Sequence, residues 1–395
     1  MKFKNLTMNA KLLEHLTDLG FNELTLIQEK CIPPIYKGKD VVGQAETGSG
    51  KTLAFSLPLL DKIVTGKGIQ ALVLTPTREL CMQVTDVFQT FGKPLYIKTT
   101  SIYGGVDIKP QIKSIHTSDI IVGTPGRILD HLNRKTINFT HARFLVLDET
   151  DRMLDMGFIK DVEDIIRHVP KNRQTLMFSA TIDDTLHRTL KKHLNHPIIL
   201  KTQKHVDKTK LKQIYYDIYE RKHKFSLLVH LLRNNTPGLA IVFCATRKES
   251  DILTKNLKHQ RINASAIHGG MSQRERQKSL YALKNSQTNV LVATDVAARG
   301  LDIKNVTHIY NYDVPKTPKE YIHRIGRTAR AGESGEAVTL LTARDHDNFR
   351  RVQSDDHLEI NRADIPNFNQ VPFIRIFQKK NRVLKNRNYR SFAYQ

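Results

Sequence analysis

The sequence has little cysteine, no long apolar run and fewer acids than bases, and each shortage narrows what the chain can be. Its three cysteines, Cys31, Cys81 and Cys244, are scattered. With no C-x-x-C pair and no metal-ligand spacing, they read as reduced core residues of a cytosolic protein. No apolar run approaches the length of a membrane span, and Met1 to Leu13 lacks a signal-peptide core. A soluble, intracellular, cytoplasmic protein with no membrane association is therefore expected. Acidic residues number 39 against 62 basic ones, a formal charge of +23. A soluble chain this basic most often meets a polyanion. The deficit of acid is sharpest at the end. Beyond Asp364 there is none, while Arg375, Lys379, Lys380, Arg382, Lys385, Arg387 and Arg390 alternate with Phe373, Phe377, Tyr389 and Phe392. This reads as a mobile basic tail, which would be a tether for a polyanion, a docking point for other proteins or a solvated end.

At 395 residues the chain suits two domains, each able to bury its own core. Short apolar runs alternate with longer amphipathic stretches, the pattern of α/β units around parallel sheets. Expected strands include Ala71–Leu74, Asp119–Val122, Phe144–Leu147 and Thr175–Phe178. A second series includes Leu239–Phe243, Val290–Ala293, Val306–Tyr310 and Ala337–Leu341. The two series repeat one pattern: Thr77-Arg78 is echoed by Thr246-Arg247, Thr124 by Thr294, and Asp148 by Asp313, at nearly constant spacing. A duplicated fold follows.

What is present in the first half is a phosphate-binding loop. Ala45-Glu46-Thr47-Gly48-Ser49-Gly50-Lys51-Thr52 follows the apolar pair Val41-Val42. Small residues let successive N–H groups face a polyphosphate, Lys51 reaches its outer phosphates, and the Thr52 hydroxyl can hold Mg²⁺. Asp148-Glu149, at the end of an apolar strand, adds an acidic Mg²⁺ partner and a candidate base for water. The second half lacks a glycine at the corresponding place, Tyr219 to His223. It must contribute something else, and Gly326-Arg327-Thr328-Ala329-Arg330 is the candidate.

Nine elements in order complete the picture: Gly20-Phe21 with Thr25 and Ile27-Gln28; the phosphate loop; Pro76-Thr77-Arg78-Glu79-Leu80; Gly104-Gly105; Thr124-Pro125-Gly126-Arg127; Asp148-Glu149-Thr150-Asp151; Ser179-Ala180-Thr181; Thr294-Asp295 with Arg299-Gly300-Leu301-Asp302; and His323-Arg324-Ile325-Gly326-Arg327-Thr328-Ala329-Arg330. From Phe3 to about Ala343 the chain resembles a DEAD-box ATP-dependent RNA helicase of bacterial type. The resemblance implies two tandem RecA-like P-loop NTPase domains. The first is expected over residues 1–202 and the second over 212–364, with a linker at 203–211 and the tail at 365–395. Two departures stand out: Leu24 and Leu26 replace prolines, which would leave that loop less stiff, and Thr150 replaces the third-position Ala.

The resemblance also implies roles. Asp148 joins the Mg²⁺ shell, and Glu149 orients and deprotonates water. Arg327 and Arg330 touch the γ-phosphate from the second half, and Asp302 meets the ribose. Phe21 would stack on adenine and Gln28 pair with its N6 and N7, whereas read without the family they form an amphipathic helix start with Phe21 as a core staple. Thr77, Arg78, Gly105, Thr124, Gly126 and Arg127 would line an RNA track in the first half, with Gln273, Arg276 and Thr294 in the second. Such residues grip backbone and 2′-OH without reading sequence. His268-Gly269-Gly270 shapes a nearby turn, and Ser179, Thr181 and Arg299 couple the halves. ATP would close the domains on RNA, unwinding short duplexes or remodelling RNA–protein complexes, and hydrolysis would release them. Ribosome-assembly or RNA-degradation proteins are the candidate partners. A DNA helicase and a non-unwinding RNA clamp are the alternatives.

Overall fold

The computed structural model describes residues 1–46, 48–181, 192–202, 211–234, 238–298, 301, 303, 305–329, 334–356 and 358–375. Thr47, Arg299, Asp302, Arg330, nearly all of the expected linker and the tail beyond Arg375 lie outside them.

Seven strands form a first sheet: β1 (Val41–Gln44), β2 (Ala71–Leu74), β3 (Thr99–Ile102), β4 (Ile120–Gly123), β5 (Phe144–Leu147), β6 (Gln174–Ser179) and β7 (Ile198–Lys201). Seven more form a second: β8 (Leu211–Asp217), β9 (Leu239–Phe243), β10 (Ala264–Ile267), β11 (Val290–Ala293), β12 (Val306–Asn311), β13 (Gly335–Leu341) and β14 (Asn361–Arg362). The first runs β3-β4-β2-β5-β6-β1-β7 and the second β10-β11-β9-β12-β13-β8-β14. Adding seven to each strand of the first order yields the second, so the duplication holds at the level of topology. All pairings within the two sheets are parallel.

Parallel strands need crossovers, which cover both faces of each sheet with helices. Those helices are α1 (Ala10–Asp18), α2 (Leu26–Tyr36), α3 (Lys51–Lys62), α4 (Arg78–Gly92), α5 (Lys109–Ile115), α6 (Pro125–Asn133), α7 (Thr150–Asp155) and α8 (Ile159–Ile166) in the first half. The second half carries α9 (Arg221–Asn234), α10 (Arg247–His259), α11 (Gln273–Lys284), α12 (Asp295–Ala298), α13 (Pro318–Ile325) and α14 (His346–Gln353). Successive strand residues enter opposite apolar layers. Val73, Ile120 and Val146 pack with Phe55, Phe88 and Phe178 on one face of the first sheet. Leu72, Ile121 and Leu145 pack with Phe139 and Ile165 on the other.

In a parallel sheet every strand delivers its carboxyl end to the same edge, where ligands are met. The nucleotide-loop strand β1 and the acidic strand β5 flank β6. The strands preceding Thr77, Gly105 and Thr124 form the other flank. The fold thus sorts the phosphate elements from the RNA-track candidates along one edge.

The second half answers the missing glycine with an ion pair. In α9, which follows β8 as α3 follows β1, Lys224 is buried and its Nζ lies 3.0 Å from Asp345 Oδ2. The same carboxylate oxygen accepts from Thr342 N and Oγ1 at 3.0 and 2.7 Å. The chain end also differs from expectation. Residues 365–375, read as the start of a free tail, lie docked on α9 and α10. Val371 N donates to Ser226 Oγ at 3.0 Å, Phe373 packs on Phe225, and Asn256 holds Ile374 N and O at 2.7 and 2.9 Å. Phe373 and Ile374 stay 37% and 47% exposed, so the segment is held by its backbone hydrogen bonds and the Phe225 contact more than by burial.

Candidate nucleotide site and nucleic-acid interface

The phosphate loop turns sharply from β1 into α3. Gly48 and Gly50 have φ of +87° and +93°, a region that favours glycine. A Cβ at Gly50 would also fall 2.5 Å from Gln28 Nε2 and 2.9 Å from Thr25 Oγ1. Lys51 opens the helix and folds its ammonium back to within 2.6 Å of the Ala45 carbonyl, and Ser49 Oγ donates to Glu46 O at 2.7 Å. Exposed amides at a helix N-terminus beside a buried lysine make an anion seat.

Gln28 serves two ends at once. Its Oε1 accepts from Thr25 N at 2.8 Å, completing a capping box that starts α2, and its Nε2 donates to Gly50 O at 3.1 Å. The capping box and buried Leu24 hold this segment, which was expected to be less stiff for having leucines in place of prolines. Phe21 packs edge-on against Phe91 of α4 and leaves 39% of its surface exposed, so it is a partly buried staple with part of its ring still open to solvent.

The acidic segment follows β5. Asp148 is buried, and loss of water pushes its carboxyl up to about 7 against the opposing pull of Lys51, with Glu149 pushing the same way as burial. Glu149 sits at φ +50° as the N-cap of α7, a left-handed conformation uncommon outside glycine. Thr150 Oγ1 lies 3.1 Å from both Leu147 O and Phe178 O, so the departure from Ala adds a tie between β5 and β6. Asp151 then locks the neighbouring Ser179-Ala180-Thr181 segment. Its Oδ2 accepts from Thr181 N and Oγ1 at 2.9 and 3.0 Å, while Ser179 Oγ donates to Thr181 O at 2.5 Å and accepts from Asp151 N at 3.3 Å.

The halves meet face to face. Arg276 Nη2 is 3.0 Å from Glu79 Oε2, and Gln273 Nε2 is 3.5 Å from Glu79 Oε1. Lys319 pairs with Asp155 at 3.0 Å, and Arg152 donates to Val296 O at 3.1 Å. Gln273 and Arg276, expected on the RNA track, therefore have these side-chain contacts across the interface. Arg327 Nη1 donates to Leu301 O at 2.9 Å, and its guanidinium is buried. Three residues earlier, Arg324 forks onto Asp295 at 2.6 and 2.7 Å and reaches Asn311 and Asp313.

The other flank of the edge is built from short side chains and two arginines. Thr77 caps α4 through Leu80 N at 3.3 Å. Arg78 lies over Gly105, where a Cβ would meet its guanidinium at 2.0 Å and φ is +81°. Arg127 donates to Val106 O at 3.0 Å, and Gly126 has open space before it. Thr124 and Thr294 stand at equivalent ends of β4 and β11. His268 accepts from Gly270 N at 3.2 Å and pairs with Asp251 at 2.9 Å, fixing the turn after β10. Sequence reasoning passed over Glu79, Arg152 and Arg324 as individual site residues. The available signal was a charge on an otherwise apolar face, as at Glu79 beside Leu80, Cys81 and Val84.

Comparison with known proteins places this geometry. The family profile described as DEAD/DEAH box helicase matches residues 25–189, and the helicase conserved C-terminal domain matches 223–332. The chain is 44% identical over 372 residues to the DEAD-box ATP-dependent RNA helicase CshA of Bacillus cereus, covering 93% of this chain and 71% of that protein. Saccharomyces cerevisiae Dbp5 bound to RNA and ADP BeF3 superposes with a TM-score of 0.84 at 32% identity, over 92% of this chain and 95% of that one. A Dbp5 variant bound to Nup159, Gle1, IP6 and ADP gives 0.64 at 31% identity, over 90% and 95%, yet the same variant with RNA and ADP BeF3 gives 0.84. Among the described residues no helix is long and apolar enough to cross a membrane.

Proposed function

The chain belongs to the DEAD-box ATP-dependent RNA helicases, and from that premise we propose which of its residues carry each part of the work. It is an ATP hydrolase that acts on RNA. The observation that carries the assignment is the contact of Arg152, beside the acidic segment of the first half, with the Val296 carbonyl of the second at 3.1 Å, which sets the Asp148-Glu149 strand end against the half that bears Arg327.

ATP enters with its phosphates on the loop amides and on Lys51, whose ammonium exchanges the Ala45 carbonyl for phosphate oxygen. Gln28, already aimed beside Gly50, accepts adenine from the exocyclic amine side, with Phe21 against the ring; guanine presents an acceptor there instead. The donor set suits Mg²⁺: one carboxylate that burial has made costly to ionise, and one hydroxyl, Thr52, on the first turn of α3. When bound, the cation neutralises charge on the phosphates. Glu149 orients water and takes its proton. Arg327 of the second half, with Arg330, receives the charge that develops at the γ-phosphate, a role worth on the order of 10³–10⁵ in rate.

RNA lies along Thr77, Arg78, Gly105, Thr124, Gly126, Arg127 and Thr294, gripped by sugar and phosphate. Gln273 and Arg276 act one step back, joining the track's two halves through Glu79. Ser179 and Thr181 tie the acidic segment to β6, with Arg299 as a further coupling residue. A strand bent to fit both halves cannot stay in an A-form duplex, so closure separates pairs locally. A cytoplasmic setting suits this substrate, and ribosome-assembly or RNA-degradation proteins are the partners proposed.

Two variants test the assignment. Lys51→Ala should abolish ATP-driven unwinding of a short RNA duplex while weak RNA binding remains. Glu149→Gln should still close on ATP and RNA, giving a long-lived ternary complex with little phosphate release. Unwinding by the first at saturating ATP, or rapid RNA release by the second, would refute the roles given.

A further inference from the structure

Arg152 stands one residue past the acidic segment, and its guanidinium is shared between the two halves. Nη1 lies 3.1 Å from Glu149 Oε2, and Nη2 donates to the Val296 carbonyl of α12 at 3.1 Å. The side chains of Arg152 and Glu149 are 6% and 12% exposed, so water screens the pair far less than it would a surface contact. Both ends of this bridge are themselves held. Glu149 has the left-handed backbone noted above, which a non-glycine residue keeps only where its surroundings fix it. Val296 follows Asp295, whose carboxylate is forked by Arg324 at 2.6 and 2.7 Å. The Val296 carbonyl therefore moves with the segment that carries Arg327.

We propose that Arg152 is a positioning residue that relays the seating of the second half to Glu149, so that this carboxylate is set for hydrolysis only in the closed arrangement. The inference rests on the reading of Glu149 as the group that orients water. With the halves together, the guanidinium is pinned by a carbonyl from one domain and pins a carboxylate in the other. When the second half withdraws, that carbonyl leaves, Arg152 loses the anchor it provides, and Glu149 gains freedom about its side-chain bonds. A displacement of about 1 Å in a reacting group is worth roughly 10²-fold in rate. The relay is distinct from charge neutralisation by Arg327: one sets the base, the other meets the phosphate.

The test compares full-length wild type, Arg152→Ala, Arg152→Lys, Glu149→Gln and the Arg152→Ala/Glu149→Gln double variant in ATP hydrolysis with saturating poly(U) RNA. Arg152→Ala should lower kcat more than fivefold with the KM for ATP within threefold. Arg152→Lys keeps the charge but cannot fork, and should recover only part of the loss. In the Glu149→Gln background, removing Arg152 should lower the residual rate less than twofold, because its target is already gone. A smaller kcat loss in Arg152→Ala, or a fivefold loss that persists without Glu149, overturns the proposal. Should Arg152→Ala fold poorly, Arg152→Lys decides by the same split, a kcat equal to wild type overturning the relay. A Glu149→Gln enzyme as active as wild type would instead refute the reading of Glu149 on which the relay depends.

Discussion

Glu79 and Arg276 meet at 3.0 Å although they come from different halves of the chain. Only 3% of the Glu79 side chain and 14% of the Arg276 side chain is exposed. Removing one member of such a pair leaves a buried charge, which is more damaging than removing both. Arg276→Ala should therefore weaken ATP-dependent RNA binding by tenfold or more, and Glu79→Gln/Arg276→Ala together should do less harm than the sum of the two. Strict additivity in a double-mutant cycle on RNA affinity would mean the pair does not couple the domains.

Gln28 presents its amide beside Gly50 while capping α2. A well-formed pair of hydrogen bonds to a base edge is worth about 1–3 kcal/mol of discrimination. Gln28→Ala should therefore reduce the preference for ATP over GTP about tenfold or more, read as the ratio of kcat/KM values. Equal use of both nucleotides by the wild type would show that the amide does not read the base.

His131 is buried between Thr136 and Gln111, 2.8 and 3.3 Å from its ring nitrogens. Burial, helped by the charge of Arg127, holds its pKa below the ordinary value of 6.5. The unfolded chain then binds a proton that the folded one refuses. Stability from this group is complete above that value and declines as pH falls through the window beneath it. His131→Gln should lose less stability than the wild type between pH 7.5 and pH 5.5 in urea titrations. Parallel losses would remove His131 from the acid response.

The docked segment 365–375 changes where the chain should be cut to isolate the basic end. Truncation after Arg375 keeps Val371, Phe373 and Ile374 on α9 and α10 and removes Lys379, Lys380, Arg382, Lys385, Arg387 and Arg390. Each phosphate neutralised on single-stranded RNA adds roughly 0.7 to the log–log salt slope, so loss of this segment should lower the slope by about 2–4. Turnover at saturating RNA should stay within about threefold, under 1 kcal/mol of barrier. An unchanged slope would assign the segment to something other than RNA.

Much of this was legible in sequence because strands buried on both faces are written as unbroken apolar runs. Phe144–Leu147, Leu239–Phe243 and Val290–Ala293 were placed to the residue. The edge strands were not, since β3 reads Thr-Thr-Ser-Ile and β10 Ala-Ser-Ala-Ile, with too little apolar signal to mark them. The phosphate loop is contiguous in sequence and so announces itself. Contacts such as Arg152 with Val296 join residues far apart in the chain, and no local pattern encodes them. The docking of Val371 and Ile374 was hidden for a different reason: the charge of the residues beyond them dominates the composition of that end.

The Lys224–Asp345 pair bears on how many nucleotides one molecule should hold. The first half keeps a glycine loop for phosphate, whereas the helix that follows β8 in the second half turns its buried lysine onto an acid of its own chain, so one ATP per molecule and cycle is the expectation. An engine with a single cylinder has no second stroke to hold the strand while the first resets. Each turnover then opens only the stretch of duplex spanned by one grip, and what lies beyond must fall apart by itself before the pairs reform. Separation should therefore fail steeply as duplexes lengthen, at a length set by the thermal stability of the remaining pairs rather than by the supply of fuel.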